Sequence, residues 1–184
     1  MPMLRRTMTK RCFILGAGPT KELLGEYRPP MFCISPNMHY PGADLIFAMD
    51  DPVIKELLKK PQGFENQLIF TTPQKYKHYH EIARITKFAH LDHFDEKRSF
   101  SSGGNAIGLA TLMRFDEIYL LGMDWTDPAL PDNVDQDYIK CFMSIAKPEH
   151  REYTPTYIKI DTKDCDSQPW FDKIITMEEF KNIR

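Results

Sequence analysis

Two glycine-bearing turns are the positions in this chain best suited to hold a ligand. The first, Gly16–Thr20, follows the short run Arg11–Leu15, and the second, Ser101–Asn105, opens the helical run Ala106–Met113. Glycine lets a backbone approach a ligand closely, and a helix N-terminus offers N–H groups with a partial positive charge. The two turns therefore predict a phosphate-bearing ligand. The nucleotide-binding residues predicted within them are Gly16, Gly18, Thr20, Ser102, Gly103 and Gly104.

The first turn differs from two common nucleotide-binding motifs. Lys21 occupies the third-glycine position of the dinucleotide-binding pattern G-x-G-x-x-G, and the Gly-Lys-Ser/Thr end of a Walker A loop occurs nowhere in the chain. Pro19 instead suits the first turn of a helix, and Thr20 can donate its hydroxyl to a phosphate or a base. A tight strand–helix turn without a ligand is the alternative interpretation.

Three polar residues follow the next two predicted strands, at the same sheet edge as Gly16. Asn37 ends the second strand, where its amide can donate and accept hydrogen bonds with a base or a ribose. The alternative is a turn residue beside Pro36. Asp50 and Asp51 end the third strand. One of them is expected to cap the following helix, which leaves the other to hold Mg²⁺ beside phosphates, and capping alone is the alternative.

The candidate catalytic residues come later in the chain. Asp124 ends the strand Glu117–Asp124, where it is expected to face the crevice in which open α/β sheets bind substrates, or else to form an Asx turn. Histidine is the side chain best suited to proton transfer at neutral pH. His150 is the preferred base, beside Arg151 and Tyr153 in a predicted lid, and a solvent-facing histidine is the alternative.

Alternating strand and helix patterns position these residues. Strands are predicted at 11–15, 31–35, 43–49, 67–71, 82–89, 117–124 and 156–161. For 82–89 a helix is the alternative. Helices are predicted at 20–25 and 52–58, from Pro73, at 106–113 and at 170–183.

This alternation predicts an α/β fold: a doubly wound, mostly parallel Rossmann-like sheet with helices on both faces. Residues 126–155 are rich in proline and acidic side chains and contain one helical stretch, 134–145. They are predicted to form a partly helical lid or insertion over the carboxyl edge of the sheet.

The composition fits one globular domain, predicted to span residues 1–184. A net charge of -2 argues against nonspecific nucleic-acid binding, which requires a basic surface. The chain lacks an apolar run long enough for a membrane span and an apolar signal-peptide stretch. Its 4 cysteines are scattered without a Cys-x-x-Cys pair, which predicts a reducing, cytoplasmic environment rather than a zinc site or disulfides.

The two glycine turns together resemble a known group of proteins. Gly16–Thr20 is similar to the Gly-x-Gly-Pro-Ser turn of bacterial sialyltransferases that use a CMP-sugar donor. It also resembles the turn of motility-accessory proteins and of archaeal hydroxymethylpterin diphosphokinase-like proteins. The group's second block is matched by Ser102–Ala106, Leu109–Ala110 and Ile118–Asp124, so the resemblance runs from about Cys12 to Trp125. It implies a Rossmann-like fold, a homo-oligomer, and a nucleotide surrounded by Gly16, Gly18, Thr20, Asn37, Ser102 and Gly103.

The resemblance implies two different chemistries. In the sialyltransferases a lid histidine acts as base, and tyrosines near an Asp-aromatic step assist the leaving phosphate. Here that step is Asp124-Trp125, and Thr126 stands where a tyrosine is expected. The lid offers Tyr138, Tyr153 and His150 as substitutes. In the diphosphokinase-like proteins a strand ends in aspartate for a metal, a pattern that Ala43-Asp44 through Asp50-Asp51 follows.

Three functional hypotheses result. The first is a nucleotide-dependent transferase, best a sialyltransferase-like glycosyltransferase that uses a nucleotide-sugar donor, with His150, Asp124 and Tyr153 as catalytic residues and no firm cofactor. The second is Mg²⁺-dependent diphosphoryl transfer from ATP, with Mg²⁺ held by Asp50, Asp51 or Asp124. The third is a noncatalytic Rossmann-like binding module that keeps the sheet.

Overall fold

The strands of the protein form one parallel sheet. The computed structural model describes residues 8–59, 68–80, 87–90, 102–123, 153–161 and 171–183. The strands are β1 Arg11–Leu15, β2 Phe32–Pro36, β3 Leu45–Phe47, β4 Leu68–Thr71, β5 Lys87–His90, β6 Glu117–Leu121, β7 Thr156–Ile160 and β8 Lys173–Ile175. They lie in the order β5-β4-β3-β2-β1-β6-β7-β8. Every neighbouring pair is parallel.

This strand order confirms the predicted α/β, parallel Rossmann-like sheet. The chain moves outward from β1 to β5, returns to place β6 beside β1, and then moves outward on the other side. Such a reversal is the switch point at which open α/β sheets bind ligands, outside the carboxyl ends of the strands. Helices on both faces and the single-domain boundary stay predictions. Most of the predicted lid, 126–152, lies outside the described residues.

Most of the described helices begin at or beside a proline or a capping threonine. The helices are the 3-10 helix Pro19–Leu24, α1 Asp51–Lys59, α2 Pro73–Tyr79, α3 Ser102–Leu112 and α4 Met177–Lys181. Thr72 caps α2, because its Oγ1 accepts a hydrogen bond from the Lys75 N–H. Proline then occupies the first helical position, where its missing N–H costs nothing. In the described part of the chain, no helix is long and apolar enough to cross a membrane.

Alternate residues of the central strands enter different parts of the core. Cys12 and Ile14 of β1 pack in one cluster with Ile107 of α3. Phe13, which lies between them, packs in a second cluster with Phe180 of α4, and the two ring centroids are 5.2 Å apart. Burying each such side chain contributes about 1.5–3 kcal/mol. The central strands are therefore apolar on both sides, as continuous strands of a parallel sheet should be.

The predicted closing helix at 170–183 is wrong in one respect. Lys173–Ile175 is strand β8, which pairs with β7, and only Met177–Lys181 is helical. Thr176 separates the two elements: its Oγ1 accepts from the Glu179 N–H while the Glu179 carboxylate accepts from the Thr176 N–H. This capping box fixes where a helix starts. The predicted helix began too early because the prediction did not take the Thr176 capping box into account.

Two glycines hold β1 and β6 together at their carboxyl ends. The Gly16 N–H donates to the Leu121 carbonyl oxygen at 2.8 Å, and the Gly18 N–H donates to the Gly122 carbonyl oxygen at 2.7 Å. A Cβ on Gly16 would overlap the Gly122 carbonyl oxygen, and a Cβ on Gly122 would overlap the Gly16 carbonyl oxygen. Gly122 also has a φ of 68°, which other residues rarely adopt. We call this contact the Gly16–Gly122 brace.

We expect Gly16→Ala to lower the free energy of unfolding by about 3 kcal/mol or more, because the added methyl group meets backbone that cannot rotate away. Gly25→Ala is the control. Gly25 has a φ of 55°, a ψ of -128° and open space around it, so its substitution should cost only the backbone term, about 1–3 kcal/mol. Urea unfolding of both variants measures the difference. Equal stabilities of the two variants would contradict the brace.

Candidate functional site

The carboxyl edge of the sheet gathers most of the predicted binding residues that the structure describes. Because all the strands are parallel, the residues after β1, β2 and β3 and the start of α3 lie at this one edge. Direct contacts link several of them. Asn37 Nδ2 donates to Asp50 Oδ2 at 3.1 Å, and Asn105 Nδ2 contacts Met49 Sδ at 2.6 Å. The structure therefore brings α3 and the loops after β2 and β3 together.

The backbone N–H groups of the first glycine turn are already hydrogen-bonded within the protein. The N–H groups of Gly16 and Gly18 donate to carbonyl groups of the brace, and the Gly122 N–H donates to Thr20 Oγ1 at 3.0 Å. The Gly16 and Gly18 N–H groups therefore cannot at the same time donate to a phosphate. Gly16, Gly18 and Thr20 are at the predicted edge, but their described contacts are those of a tight turn, the alternative that the sequence left open.

The start of α3 has a buried hydroxyl without a partner. Ser102 is 4% exposed, and its Oγ has no hydrogen-bond partner in the structure as described. Gly103 and Gly104 follow it in the first turn, which carries no acidic residue. A helix of this length carries a partial positive charge at its N-terminus. The second glycine turn therefore keeps the features of an anion site.

A second such hydroxyl belongs to Thr71, at the carboxyl end of β4. Thr71 is 1% exposed, and its Oγ1 has no hydrogen-bond partner in the structure as described. Sequence reasoning did not select it. The signal was the pair Thr71-Thr72 before Pro73: Thr72 caps α2, so the first threonine is left with another role. Buried polar groups are nearly always hydrogen-bonded, so each exception needs an explanation.

Asn37 adopts a backbone conformation that costs energy. Its φ of 58° lies in the left-handed region, which non-glycine residues seldom occupy, though asparagine does so more often than most. With Nδ2 held by Asp50, its Oδ1 has no partner among the described residues. Asn37 lines a cavity of about 380 Å³, whose other lining residues are Met38, His39, Pro52, Val53, Glu56 and Leu57. Cavities of this size and mainly apolar lining suit a small planar ligand.

Asp51 is engaged in contacts between helices. Its carboxylate accepts from Lys75 Nζ at 2.7 Å and from the Tyr79 hydroxyl at 2.8 Å. The hydrogen bond from Lys75, and then that from Tyr79, holds the pKa of Asp51 below its ordinary value. Asp50 accepts from Asn37. Among the residues that the structure describes, no group of three or more His, Cys, Asp or Glu could hold a metal ion.

Of the three predicted catalytic residues, the structure describes only Tyr153, and Tyr153 lies away from this edge. Tyr153 precedes β7, and its hydroxyl donates to Asp116 Oδ1 at 2.8 Å, just before β6. It therefore lies at the amino edge, opposite the glycine turns. Burial, followed by the hydrogen bond to Asp116, raises the pKa of Tyr153 to about 12, so the phenol stays protonated at neutral pH. Asp124 and His150 lie outside the described residues.

Comparisons with protein-family models, with curated proteins and with solved structures find no match for this chain. The resemblance to the sialyltransferase and diphosphokinase-like group therefore stays a prediction.

We expect Asp51→Asn to destabilise the protein at pH 7, because an amide replaces the carboxylate that Lys75 and Tyr79 contact. The folded pKa of Asp51 is depressed below 3.8, so its contribution is present above that value and is lost as the pH falls through the folded pKa. The gap in urea midpoint between wild type and Asp51→Asn should shrink as the pH falls from about 7 to about 3. The exposed Glu178→Gln is the control, and a gap for Asp51→Asn that stays constant would contradict the ion pair.

Proposed function

We propose that the protein is a nucleotide-dependent transferase whose ligand, a nucleotide or nucleotide-sugar, binds along the carboxyl edge of β2, β3 and β4. The observation that carries this proposal is the unpartnered hydroxyl of Ser102 at the start of α3. Leaving a buried hydroxyl unsatisfied costs about 1–3 kcal/mol. A ligand oxygen that accepts from Ser102 Oγ removes this cost, so the ligand-free site favours binding.

In this proposal the phosphate group of the ligand binds at the N-terminus of α3. Here Ser102 Oγ and the Gly103 N–H at the start of the helix act as donors. No acidic side chain in the first turn offsets the partial positive charge of the helix. Asn105 contacts Met49 and so anchors this turn beside the end of β3. The same donors then stabilise the negative charge that a departing nucleotide carries.

The nucleoside part of the ligand is placed in the cavity beside Asn37. The bond to Asp50 leaves Asn37 Oδ1 as an acceptor, so its partner on the ligand must be a donor, such as a ribose hydroxyl or an exocyclic amino group. Met38, Val53 and Leu57 supply apolar walls for a base. From the sequence, the Asn37 amide was expected both to donate to the ligand and to accept from it. In this proposal it only accepts, because its nitrogen donates to Asp50.

With a nucleotide-sugar donor, the reaction is glycosyl transfer. The acceptor oxygen forms a bond to the sugar carbon while the bond from that carbon to the phosphate oxygen breaks, and the nucleotide departs with the electron pair. The acceptor proton passes to a general base, for which the sequence offers His150. Positioning the two reactants supplies much of the acceleration in such transfers. Tyr153 has no role in this proposal, because it lies at the amino edge.

Mg²⁺-dependent transfer from ATP has less support. That hypothesis assigns the metal to Asp50, Asp51 or Asp124. In the structure both oxygens of Asp51 accept hydrogen bonds from Lys75 and Tyr79, and one oxygen of Asp50 accepts from Asn37. Binding Mg²⁺ through Asp51 would therefore require breaking the contact between α1 and α2.

We expect calorimetry to detect binding of at least one of CMP, UDP, GDP and ATP, and Ser102→Ala to weaken that binding about tenfold. The same substitution should leave the ligand-free protein equally or more stable, because it removes an unsatisfied hydroxyl. A structural defect would instead lower both the nucleotide affinity and the stability of the ligand-free protein.

Thr111→Val is the matched control. Its hydroxyl is buried at the other end of α3 and donates to the Ile107 carbonyl, so the substitution should lower stability and leave nucleotide affinity unchanged. The proposal fails if none of the four nucleotides binds at millimolar concentration, or if Ser102→Ala binds as wild type does. A protein that binds none of them would fit the noncatalytic module.

A further inference from the structure

A basic groove lies between α1 and α2, separate from the cavity beside Asn37. Its volume is about 480 Å³, and its lining residues are Asp51, Gln74, Lys75, Lys77 and His78. We call it the α1–α2 groove. All of its lining side chains are polar, in contrast to the mainly apolar lining of the cavity beside Asn37. The two concavities therefore suit different parts of a ligand.

The single acidic residue of the α1–α2 groove is already neutralised. Asp51 Oδ2 accepts from Lys75 Nζ at 2.7 Å, and the buried Tyr79 donates to its other oxygen. The remaining charge of the groove is then the positive charge of Lys77. An ammonium has three N–H donors, and Lys75 uses one on Asp51. Lys75 is half-buried, so this ion pair also holds its ammonium at a fixed place.

The groove adjoins the proposed nucleotide site along the chain at two points. Asp51, which lines it, directly follows Asp50, the residue that fixes Asn37. Thr71, whose buried hydroxyl has no described partner, directly precedes the threonine that caps α2. The polar edge thus continues from the cavity, across the start of α1, to the lysines of α2.

We propose that the α1–α2 groove is an anion-binding subsite that takes a phosphate or carboxylate group of the substrates. This inference rests on the proposed function, because a transferase brings two substrates to one edge. The anionic group belongs either to the nucleotide donor, as an outer phosphate, or to the acceptor. In both cases Lys77 and the free donors of Lys75 contact its oxygens, and added salt weakens the binding.

The test is an NMR titration of the full chain with inorganic pyrophosphate. The amide signals of Lys77 and His78 should shift in a saturable way, and Lys77→Gln should weaken the affinity about fivefold. Lys173→Gln removes the same charge from β8, at the far side of the sheet, and should leave the affinity unchanged. Lys77→Gln with wild-type affinity, or shifts confined to residues away from the groove, overturns the proposal.

Repeating the titration in saturating nucleotide separates the two sources of the anion. If the groove holds the donor's own phosphate, a nucleoside diphosphate competes with pyrophosphate. If it holds the acceptor's anion, pyrophosphate binds beside the nucleotide. The two proposals fail separately: nucleotide binding that depends on Ser102 without pyrophosphate in the groove rejects only the groove. Pyrophosphate in the groove without any nucleotide binding rejects only the transferase.

Discussion

The backbone contact between Gly16 and Gly122 is the constraint on which the arrangement of this protein depends. It joins the turns after β1 and β6, the two neighbouring strands at which the order of strand addition reverses. No side chain larger than hydrogen fits on either glycine, because each would overlap the other's carbonyl oxygen. At the brace, the Gly16 and Gly18 N–H groups donate hydrogen bonds to backbone carbonyl groups. They are therefore not available to donate to a phosphate at the switch point.

Because the N–H groups of the first glycine turn are engaged, we expect a ligand to bind further along the same edge, at the ends of β2, β3 and β4. At that edge, three buried polar atoms have no hydrogen-bond partner among the described residues: Asn37 Oδ1, Thr71 Oγ1 and, at the start of α3, Ser102 Oγ. Buried atoms of this kind weaken a fold unless something else uses them. An unpaired buried hydroxyl and a left-handed asparagine each cost free energy, and under the proposed function a bound ligand offsets that cost.

Local sequence signals predicted the sheet well. Strands β1 and β2 match the predicted runs 11–15 and 31–35 within one residue, while β6 ends at Leu121, three residues before the predicted end. Pro52 and Pro73 marked helix starts. The parallel arrangement followed from alternation alone. Strand β8 was missed because its pattern merges with that of α4, and only the Thr176 capping box separates them. Local periodicity cannot show where one period gives way to another inside a short segment.

The site was harder to predict, because its chemistry depends on contacts between residues far apart in the sequence. Gly16 and Gly18 read as a phosphate cradle until Gly122 is placed against them. Asn37 reads as a bifunctional amide until Asp50 takes its nitrogen. Asp51 reads as a metal ligand until α2 brings Lys75 and Tyr79 to it. In each case a partner that is distant in the sequence decides which hydrogen bonds of the residue remain available.

Amide hydrogen exchange of the ligand-free protein tests the central claim most directly. If the brace commits the first glycine turn, the Gly16 and Gly18 N–H groups exchange as slowly as those of Phe13 and Leu120 in the adjacent strands. They also stay protected, with little change in chemical shift, when a nucleotide shifts the signals of Ser102 and Gly103. Exchange of Gly16 and Gly18 as fast as the exposed Ala17 between them, or nucleotide-induced shifts centred on them, would contradict this account.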